Sequence, residues 1–204
     1  MDSGESAVDN LSTSIIVMQD DFTGTTIDTG KWTETDPVDS VEITQNNELI
    51  FSIDTNGTAV PSSNTNNIET VSSVASGCIQ MDFGGTLSAG TDANPALSFF
   101  GDFSNLHLAQ IIYSGSGKTK FTVYSGGSLV YNPSETIYDF AGTWRIRHQS
   151  GVTYFEELTA VNTWTIRDQH TADITNGNNL KARFGSSSFQ TTMAQRHSPL
   201  IMFI

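Results

Sequence analysis

The amino-acid sequence predicts an all-β protein, an antiparallel sandwich of two sheets. Two observations carry this prediction: short segments in which apolar and polar residues alternate, and turn residues that recur between them about every ten positions. A chain of 204 residues lies within the size range of one sandwich domain. No long stretch shows helical periodicity, so we expect a single β core.

Ten segments have the character of strands. Between residues 143 and 149, Trp144 and Ile146 take one face of the predicted strand, and Arg145 and Arg147 take the other. One face therefore goes to the core and the other to water or ligand. The ten segments are residues 14–19, 48–54, 78–83, 96–100, 108–113, 120–125, 143–149, 152–157, 163–168 and 180–185. The turns between them are rich in Gly, Asn, Ser and Asp.

The chain divides into three parts on composition. Residues 1–13 are predicted to form a polar N-terminal arm, 14–198 the sandwich, and 199–204 an apolar C-terminal strand or anchor. Residues 58–67 are the longest predicted loop, and there is no internal repeat.

Charge excludes several classes of partner. The sequence has 9 Lys and Arg against 22 Asp and Glu, a formal net charge of -13. Nucleic acid and anionic membranes would be repelled, so we expect neither as a partner.

Cys78 is the single cysteine, which rules out an internal disulfide. No apolar run approaches the roughly 20 residues that span a bilayer, and no secretory signal is recognisable at the N-terminus.

Motifs near both ends resemble one known superfamily. An apolar strand leads into "DDFTGTTIDTGKW" (20–32), and "GTWRIRHQSGVTYFEE" (142–157) precedes "NTWTI" and "NLKARFG". This order resembles the concanavalin A-like lectin/glucanase superfamily, in its laminarinase-like branch. The resemblance covers about residues 15–185. It implies a jelly-roll β-sandwich whose concave face, in many members, holds a sugar. It also implies that Phe22 and Trp32 pack in the core, and that Asp20 or Asp21 ties a turn to backbone amides.

The hydrolase branch of this superfamily cuts β-glucans with carboxylates carried on one strand. Glycoside hydrolysis with retention needs two carboxyl groups on one face, about 5 to 5.5 Å apart. The superfamily's Glu-x-Asp-x-x-Glu pattern is absent here, and the segment 78–83 offers one acid, Asp82. Glu156 and Glu157 are adjacent, so the pleat directs them to opposite faces. We therefore expect a chain without enzymatic activity and with no catalytic residues.

Calcium is the one metal that the sequence suggests. Asp20 and Asp21 supply the oxygen ligands that this ion takes, and some members of the superfamily carry one structural ion near the chain ends. No segment has the spacing of an Asp-x-Asp-x-Asp-Gly calcium loop. We expect no other cofactor, because the four histidines lack zinc-ligand spacing.

Glycan binding is predicted to depend on aromatic side chains. An exposed ring stacks on the apolar face of a pyranose while polar groups bond its hydroxyls. Alternation places about half of such rings in the core, so no single site follows. The candidates are Tyr113, Tyr124, Tyr131, Tyr154 and Trp164.

The C-terminus ends in a run that is apolar on both faces. Such a run must be covered by its own sheets or by another chain, because each large side chain gains roughly 1.5 to 3 kcal/mol on burial. It forms either a final strand closing the sandwich or an anchor on a neighbouring subunit. The predicted interface residues are Leu200, Ile201, Met202, Phe203 and Ile204.

Three functions compete. The first is a non-enzymatic structural protein of a virus surface, a decoration, head-fibre or tail component that contacts other virion proteins or its own copies. Its support is resemblance to phage proteins that are acidic, rich in Ser, Thr, Asn and Gly, and nearly free of cysteine. The second is a lectin-like carbohydrate-binding module at a bacterial surface or secreted. The third is a relative of the family 16 glucanases. The first two are compatible, since a particle-surface domain also binds host glycans.

Overall fold

The computed structural model describes residues 16–35, 41–47, 49–53, 66–83, 95–113, 117–132, 136–186, 193–194 and 200–203. Throughout these ranges the regular structure is β-strand, without a helix. Accordingly, the described part contains no helix of the length and hydropathy that crossing a membrane requires. The strands are β1 (Ile16–Asp20), β2 (Trp32–Thr35), β3 (Val41–Gln45), β4 (Leu49–Ile53), β5 (Asn66–Thr70), β6 (Gly77–Phe83), β7 (Pro95–Asp102), β8 (His107–Tyr113), β9 (Thr119–Ser125), β10 (Ser128–Tyr131), β11 (Gly142–Gln149), β12 (Val152–Ala160), β13 (Thr163–Thr171), β14 (Lys181–Ser186), β15 (Met193–Ala194) and β16 (Leu200–Phe203).

Two large antiparallel sheets make the sandwich. One has six strands in the order β1-β16-β6-β11-β12-β13, and the other has seven in the order β10-β9-β8-β7-β14-β5-β2. A small third sheet has the order β15-β4-β3. The prediction of an all-β antiparallel two-sheet sandwich is confirmed.

The core lies between the two large sheets and follows the predicted alternation. Trp144 and Ile146 of β11 are fully buried. Phe121 of β9 crosses from the opposite sheet, and its ring stacks on Phe155 of β12 with centroids 4.7 Å apart. Aromatic rings thus join the two sheets near their centre, where each contributes hydrophobic burial and ring contacts.

The stretch "DDFTGTTIDTGKW" is a structural turn. Phe22 and Trp32 are buried, and their rings stack with centroids 5.4 Å apart. The Asp20 carboxylate accepts the backbone N–H of Phe22 at 2.9 Å and the indole N–H of Trp32 at 2.7 Å. The core positions of both rings, and the role of Asp20 in the turn, agree with the sequence prediction.

The C-terminal run contributes a strand to the six-stranded sheet. The backbone of β16 pairs with β1 on one side and with β6 on the other. Ile204 and the whole of the predicted arm, residues 1–13, lie outside the described residues. The interface assigned to the side chains of this run stays a prediction, and so do the domain boundaries at 13 and 199.

Five strands lie where the sequence predicted no strand: β2, β3, β5, β10 and β15. Asn67, at the end of the predicted loop 58–67, belongs to β5, which pairs with β14 and β2. The sequence of β5, NNIET, has one apolar residue, Ile68. With a single apolar residue in five, this strand has no visible alternation of apolar and polar positions. The sequence pattern therefore did not indicate a strand here.

Candidate functional site

A row of polar side chains crosses the outer face of the seven-stranded sheet. Its members stand directly opposite one another on five neighbouring strands, β5, β14, β7, β8 and β9. Because residues paired across strands share a face, all of them face away from the core. We call this set the polar row: Glu69, Arg183, Ser98, Gln110 and Thr122.

Hydrogen bonds fix the middle of the polar row. Gln110 donates from Nε2 to Ser98 Oγ at 2.9 Å, and Thr122 Oγ1 donates to Gln110 Oε1 at 3.3 Å. Ser98 is 2% exposed and Thr122 is 3% exposed, so these polar groups are held away from bulk water. Buried polar groups are stable when they are hydrogen-bonded to each other. The row is therefore ordered before any ligand arrives.

The other end of the polar row is an ion-paired cluster. The Glu69 carboxylate accepts from Lys181 Nζ at 3.0 Å and from Arg183 Nη2 at 3.3 Å. The Arg183 guanidinium lies 3.7 Å above the ring of Phe103, and Phe103 meets Phe100 edge-on at 5.3 Å. Burial lowers the pKa of Arg183, while the charge and hydrogen bond of Glu69 oppose that shift.

Apolar groups border the polar row on one side. Phe100, Leu108 and Tyr124 stand opposite one another on β7, β8 and β9, in the next outward-facing row of the sheet. Tyr124 is half-buried. Phe100 and Leu108 are 5% and 1% exposed, so Tyr124 is the member of this row that a ligand can reach. An accessible ring beside ordered donors and acceptors is a combination that sugar-binding surfaces use.

Carboxylates are scarce on this face. Glu34 stands opposite the core residue Ile68, and Asp102 ends β7 beyond an irregularity in the pairing with β8. Among the described strand residues, Glu69 is thus the one acid on the outer face of the seven-stranded sheet. Hydrolysis by a carboxylate pair requires a second acid beside it.

The five aromatic candidates do not converge on one site. Tyr124 alone lies beside the polar row. Tyr113 is 8% exposed and belongs to the core, where it meets Phe140 edge-on. Tyr154 and Trp164 lie on the outer face of the opposite sheet.

Tyr131 joins the edges of the two large sheets. It is on β10, the edge of the seven-stranded sheet, and donates its hydroxyl to Asp168 of β13, the edge of the six-stranded sheet. Its ring also packs on His170, with centroids 4.9 Å apart. Burial, together with the hydrogen bond to Asp168 and its charge, raises the pKa of Tyr131 to about 12. These contacts give Tyr131 a structural role, because they connect the edge strands of the two large sheets.

On the outer face of the six-stranded sheet, arginine side chains contact an acid and aromatic rings of the same chain. Glu156 accepts from Arg145 Nε and, at 2.8 Å, from Arg147 Nη2. The Arg145 guanidinium lies 4.2 Å above the Trp164 ring, and that of Arg147 lies 4.0 Å above Tyr154. Each ring thus has one face covered by a guanidinium of the same chain.

Asp20 and Asp21 both accept hydrogen bonds within the turn, and the calcium site assigned to them stays a prediction. Asp20 is committed to Phe22 and Trp32, and Asp21 Oδ1 accepts two bonds from Thr23, at 3.1 Å from its N–H and 2.9 Å from its hydroxyl. The described residues contain no group of three or more His, Cys, Asp or Glu placed to hold a metal. Two further segments rich in oxygen-bearing side chains, residues 36–39 and 90–94, lie wholly outside the described ranges.

The sequence analysis did not single out the members of the polar row, although a partial signal was present. In "KFTVYS" (120–125), alternation already groups Lys120, Thr122 and Tyr124 on one face. Gln110 is the one polar residue inside "LAQIIY" (108–113). Strand order places Gln110 and Thr122 in one row with Glu69 and Arg183. The alternation within a single strand contains no information about strand order.

The fold matches that of solved glucanases. No protein-family profile matches the sequence, and neither does any curated protein sequence. The chain is similar to the Bacillus licheniformis β-glucanase, with a TM-score of 0.66, 12% identity, and coverage of 91% of this chain and 96% of that one. It is also similar to SCLam, a non-specific endo-β-1,3(4)-glucanase from family GH16, with a TM-score of 0.67, 8% identity, and coverage of 95% and 92%. The Crh5 transglycosylase gives a TM-score of 0.58 at 13% identity, with coverage of 91% and 83%.

These matches establish the concanavalin A-like jelly-roll sandwich. They also correct the expectation of a non-enzymatic chain, because the similar structures are endo-β-glucanases and a transglycosylase, and the fold is one that glycosidases use. The expectation rested on the absence of paired acids within single strands, and that absence leaves open carboxylates contributed by different strands or loops of the fold.

Proposed function

We propose that this jelly-roll chain is a carbohydrate-active protein of the glucanase type, which holds a polysaccharide across the outer face of its seven-stranded sheet. The observation that carries the proposal is the polar row, whose donors and acceptors are fixed beside Phe100, Leu108 and Tyr124. Pre-ordered polar groups bind hydroxyls at a reduced entropic cost, and the half-buried Tyr124 ring, beside the buried Phe100 and Leu108, offers a surface for a sugar ring.

The similar structures support a polysaccharide ligand. A variant of SCLam, 9% identical and with a TM-score of 0.67, was co-crystallised with 1,3-β-D-cellobiosyl-cellobiose and presents 1,3-β-D-cellobiosyl-glucose at its active site. That chain is covered to 95%, as is this one. A linear glucan is therefore the first ligand class to test.

The test compares two tyrosines on opposite faces of the sandwich. We expect Tyr124→Ala to weaken retention of the protein in gels containing laminarin or lichenan by about tenfold, since stacking on a ring is worth about 1 kcal/mol or more. Tyr154→Ala, on the outer face of the other sheet, is the matched control and should bind as the unmodified chain does. Loss of binding in Tyr154→Ala, together with full binding in Tyr124→Ala, would place the ligand on the outer face of the six-stranded sheet and contradict the proposal.

The same samples test for cleavage. Reducing ends released from laminarin or lichenan are measured for the unmodified chain and for Glu69→Gln, with folding checked by circular dichroism. Turnover that disappears in Glu69→Gln assigns the chemistry to this face. Turnover that persists in it shows that the reacting carboxylates lie elsewhere.

We further propose the surface of a virus particle as the setting, with other virion proteins or copies of this chain as neighbours. An acidic composition rich in Ser, Thr, Asn and Gly, with one cysteine, supports it. The alternative is an extracellular or cell-surface location. Labelling of particles with an antibody to this chain, viewed by negative-stain microscopy, tests the setting; label confined to host-cell fractions would contradict it.

A further inference from the structure

We infer that the polysaccharide bound at the polar row is an anionic one, carrying carboxylate or sulfate groups. This inference rests on the proposed function and specifies its ligand. It starts from an imbalance of charge. The outer face of the seven-stranded sheet carries Lys120, Lys181 and Arg183, three of the chain's nine Lys and Arg residues. Against them stands Glu69 on the described strands, although acids outnumber bases 22 to 9 in the whole chain.

The cations of this face are available to a ligand in different degrees. Lys120 makes no hydrogen bond or ion pair with any other described residue, and its neighbours Phe121 and Thr119 face the core. Lys181 is paired with Glu69, yet its side chain is 37% exposed. Glu69 neutralises one of its two partners, Lys181 or Arg183, so the face keeps an excess of positive charge.

The opposite face provides a contrast within the same molecule. There, Glu156 binds both Arg145 and Arg147, and each guanidinium is also stacked on a ring. Those cations are committed to internal contacts. Lys120 and Lys181 differ from them in remaining accessible beside the polar row.

The spacing of the cations indicates a sparsely charged polymer. Lys181 on β14 and Lys120 on β9 are three strands apart and four residues apart in register. With strands about 4.8 Å apart and a rise of about 3.3 Å per residue, the two lie roughly 20 Å apart. A single small anion cannot reach both, whereas an extended chain crossing the face can.

Nucleic acid fits this pattern poorly. Duplex DNA carries one charge per about 1.7 Å, so the net charge of -13 would repel it more strongly than three separated cations attract it. A polymer with fewer charges meets less of this repulsion. The half-buried Tyr124 ring, which stands in the same row of the sheet as Lys181, suits a sugar ring.

Affinity electrophoresis and calorimetry with the full chain test the inference. The probes are partly methyl-esterified polygalacturonate for carboxylates, sparsely sulfated κ-carrageenan for sulfates, laminarin as the neutral polysaccharide and single-stranded DNA as a densely charged polyanion without pyranose rings. We expect at least one of the two anionic polysaccharides to bind about tenfold more tightly than laminarin, with an affinity that falls as salt rises.

Charge-neutralising variants locate the effect. Lys120→Gln and Lys181→Gln should each weaken binding of the anionic polysaccharide about two- to fivefold and leave laminarin binding unchanged. Lys118→Gln is the matched control: it removes the same charge two residues from Lys120, but Lys118 is paired with Asp139 at 2.6 Å, and its variant should bind as the unmodified chain does.

The two proposals fail in different ways. Equal binding of laminarin and both anionic polysaccharides, insensitive to Lys120→Gln and Lys181→Gln, overturns the anionic ligand and leaves the glycan-binding face standing. DNA binding as tight as polysaccharide binding also overturns it, by showing a general polyanion surface. Absence of binding and of cleavage for every polysaccharide removes both proposals.

Discussion

At the scale of single residues, Asp20 holds the first turn of the chain together. Phe22 has a φ of 52°, a left-handed conformation that costs a bulky residue roughly 1 kcal/mol or more, and its side chain is fully buried. The Asp20 carboxylate secures that conformation through the N–H of Phe22 and fixes Trp32 through its indole N–H. One acid thus joins backbone geometry to core packing.

Replacement of Asp20 by Ala should lower the free energy of unfolding by about 3 kcal/mol, because two charge-assisted hydrogen bonds are lost and the buried indole N–H is left without an acceptor. Urea unfolding followed by tryptophan fluorescence measures the change. Asp21→Ala is the matched control: its bonds to Thr23 are exposed to solvent, so it should destabilise the protein much less than Asp20→Ala does. Equal costs for the two variants would refute the assigned role of Asp20.

At the scale of strands, Glu156 ties β11 to β12. It lies opposite Arg145 in the register and also binds Arg147, and its side chain is 3% exposed. Burial alone would raise the pKa of Glu156, but hydrogen bonds from Arg147 and Arg145 and their positive charges outweigh burial and hold that pKa below its ordinary value of 4.5. The charged pair therefore stabilises the fold at neutral pH.

Glu156→Gln should lower the free energy of unfolding at pH 7 by about 3 kcal/mol, since Arg145 then stays buried without this carboxylate. A lowered folded pKa means that the stabilisation is complete above pH 4.5 and is lost as pH falls through the lower folded value. The difference between the unmodified chain and the variant should therefore shrink below pH 4.5 in denaturant unfolding measured across pH.

The neighbouring acid supplies the control for this variant. Glu157 binds Arg167 at 2.7 Å with its side chain 22% exposed, and a partly exposed pair of this kind contributes about 1 kcal/mol or less. Glu157→Gln should thus cost less than Glu156→Gln at pH 7. A larger cost for Glu157→Gln would show that the buried pair is not the main contributor.

At the scale of the whole molecule, the chain closes its six-stranded sheet with its last strand. β16 lies between β1 and β6, so a segment near residue 200 joins one near residue 20 to one near residue 80. Removing an interior strand leaves two rows of backbone donors and acceptors without partners.

Deletion of residues 199–204 should therefore lower the melting temperature by more than 10 °C or make the protein insoluble, as expected when an interior strand worth several kcal/mol is lost from a domain of this size. Deletion of residues 1–13, the predicted polar arm, is the comparison and should leave the melting temperature unchanged. A shortened chain that lacks 199–204, keeps its melting temperature and elutes as a smaller species would instead identify the run as an assembly element.

The sequence predicted the strands that carry a strong alternating pattern. All ten predicted segments coincide with strands, and the inward positions of Trp144 and Ile146 are confirmed. The strands that were missed include β2 and β10, which lie at sheet edges, and β5, whose sequence is mostly polar. Edge and polar strands bury fewer side chains, so their alternation is weak.

The sequence by itself determined the fold class, the strands with strong alternation and the turn around Asp20, because these depend on residues a few positions apart. Only the tertiary structure decided the polar row. Its ion pair joins Glu69 to Arg183, which are 114 positions apart in the chain, and its hydrogen bonds run across neighbouring strands. Strand order and register bring such residues together, and both arise from packing of the whole sandwich, which alternation within a single strand does not encode.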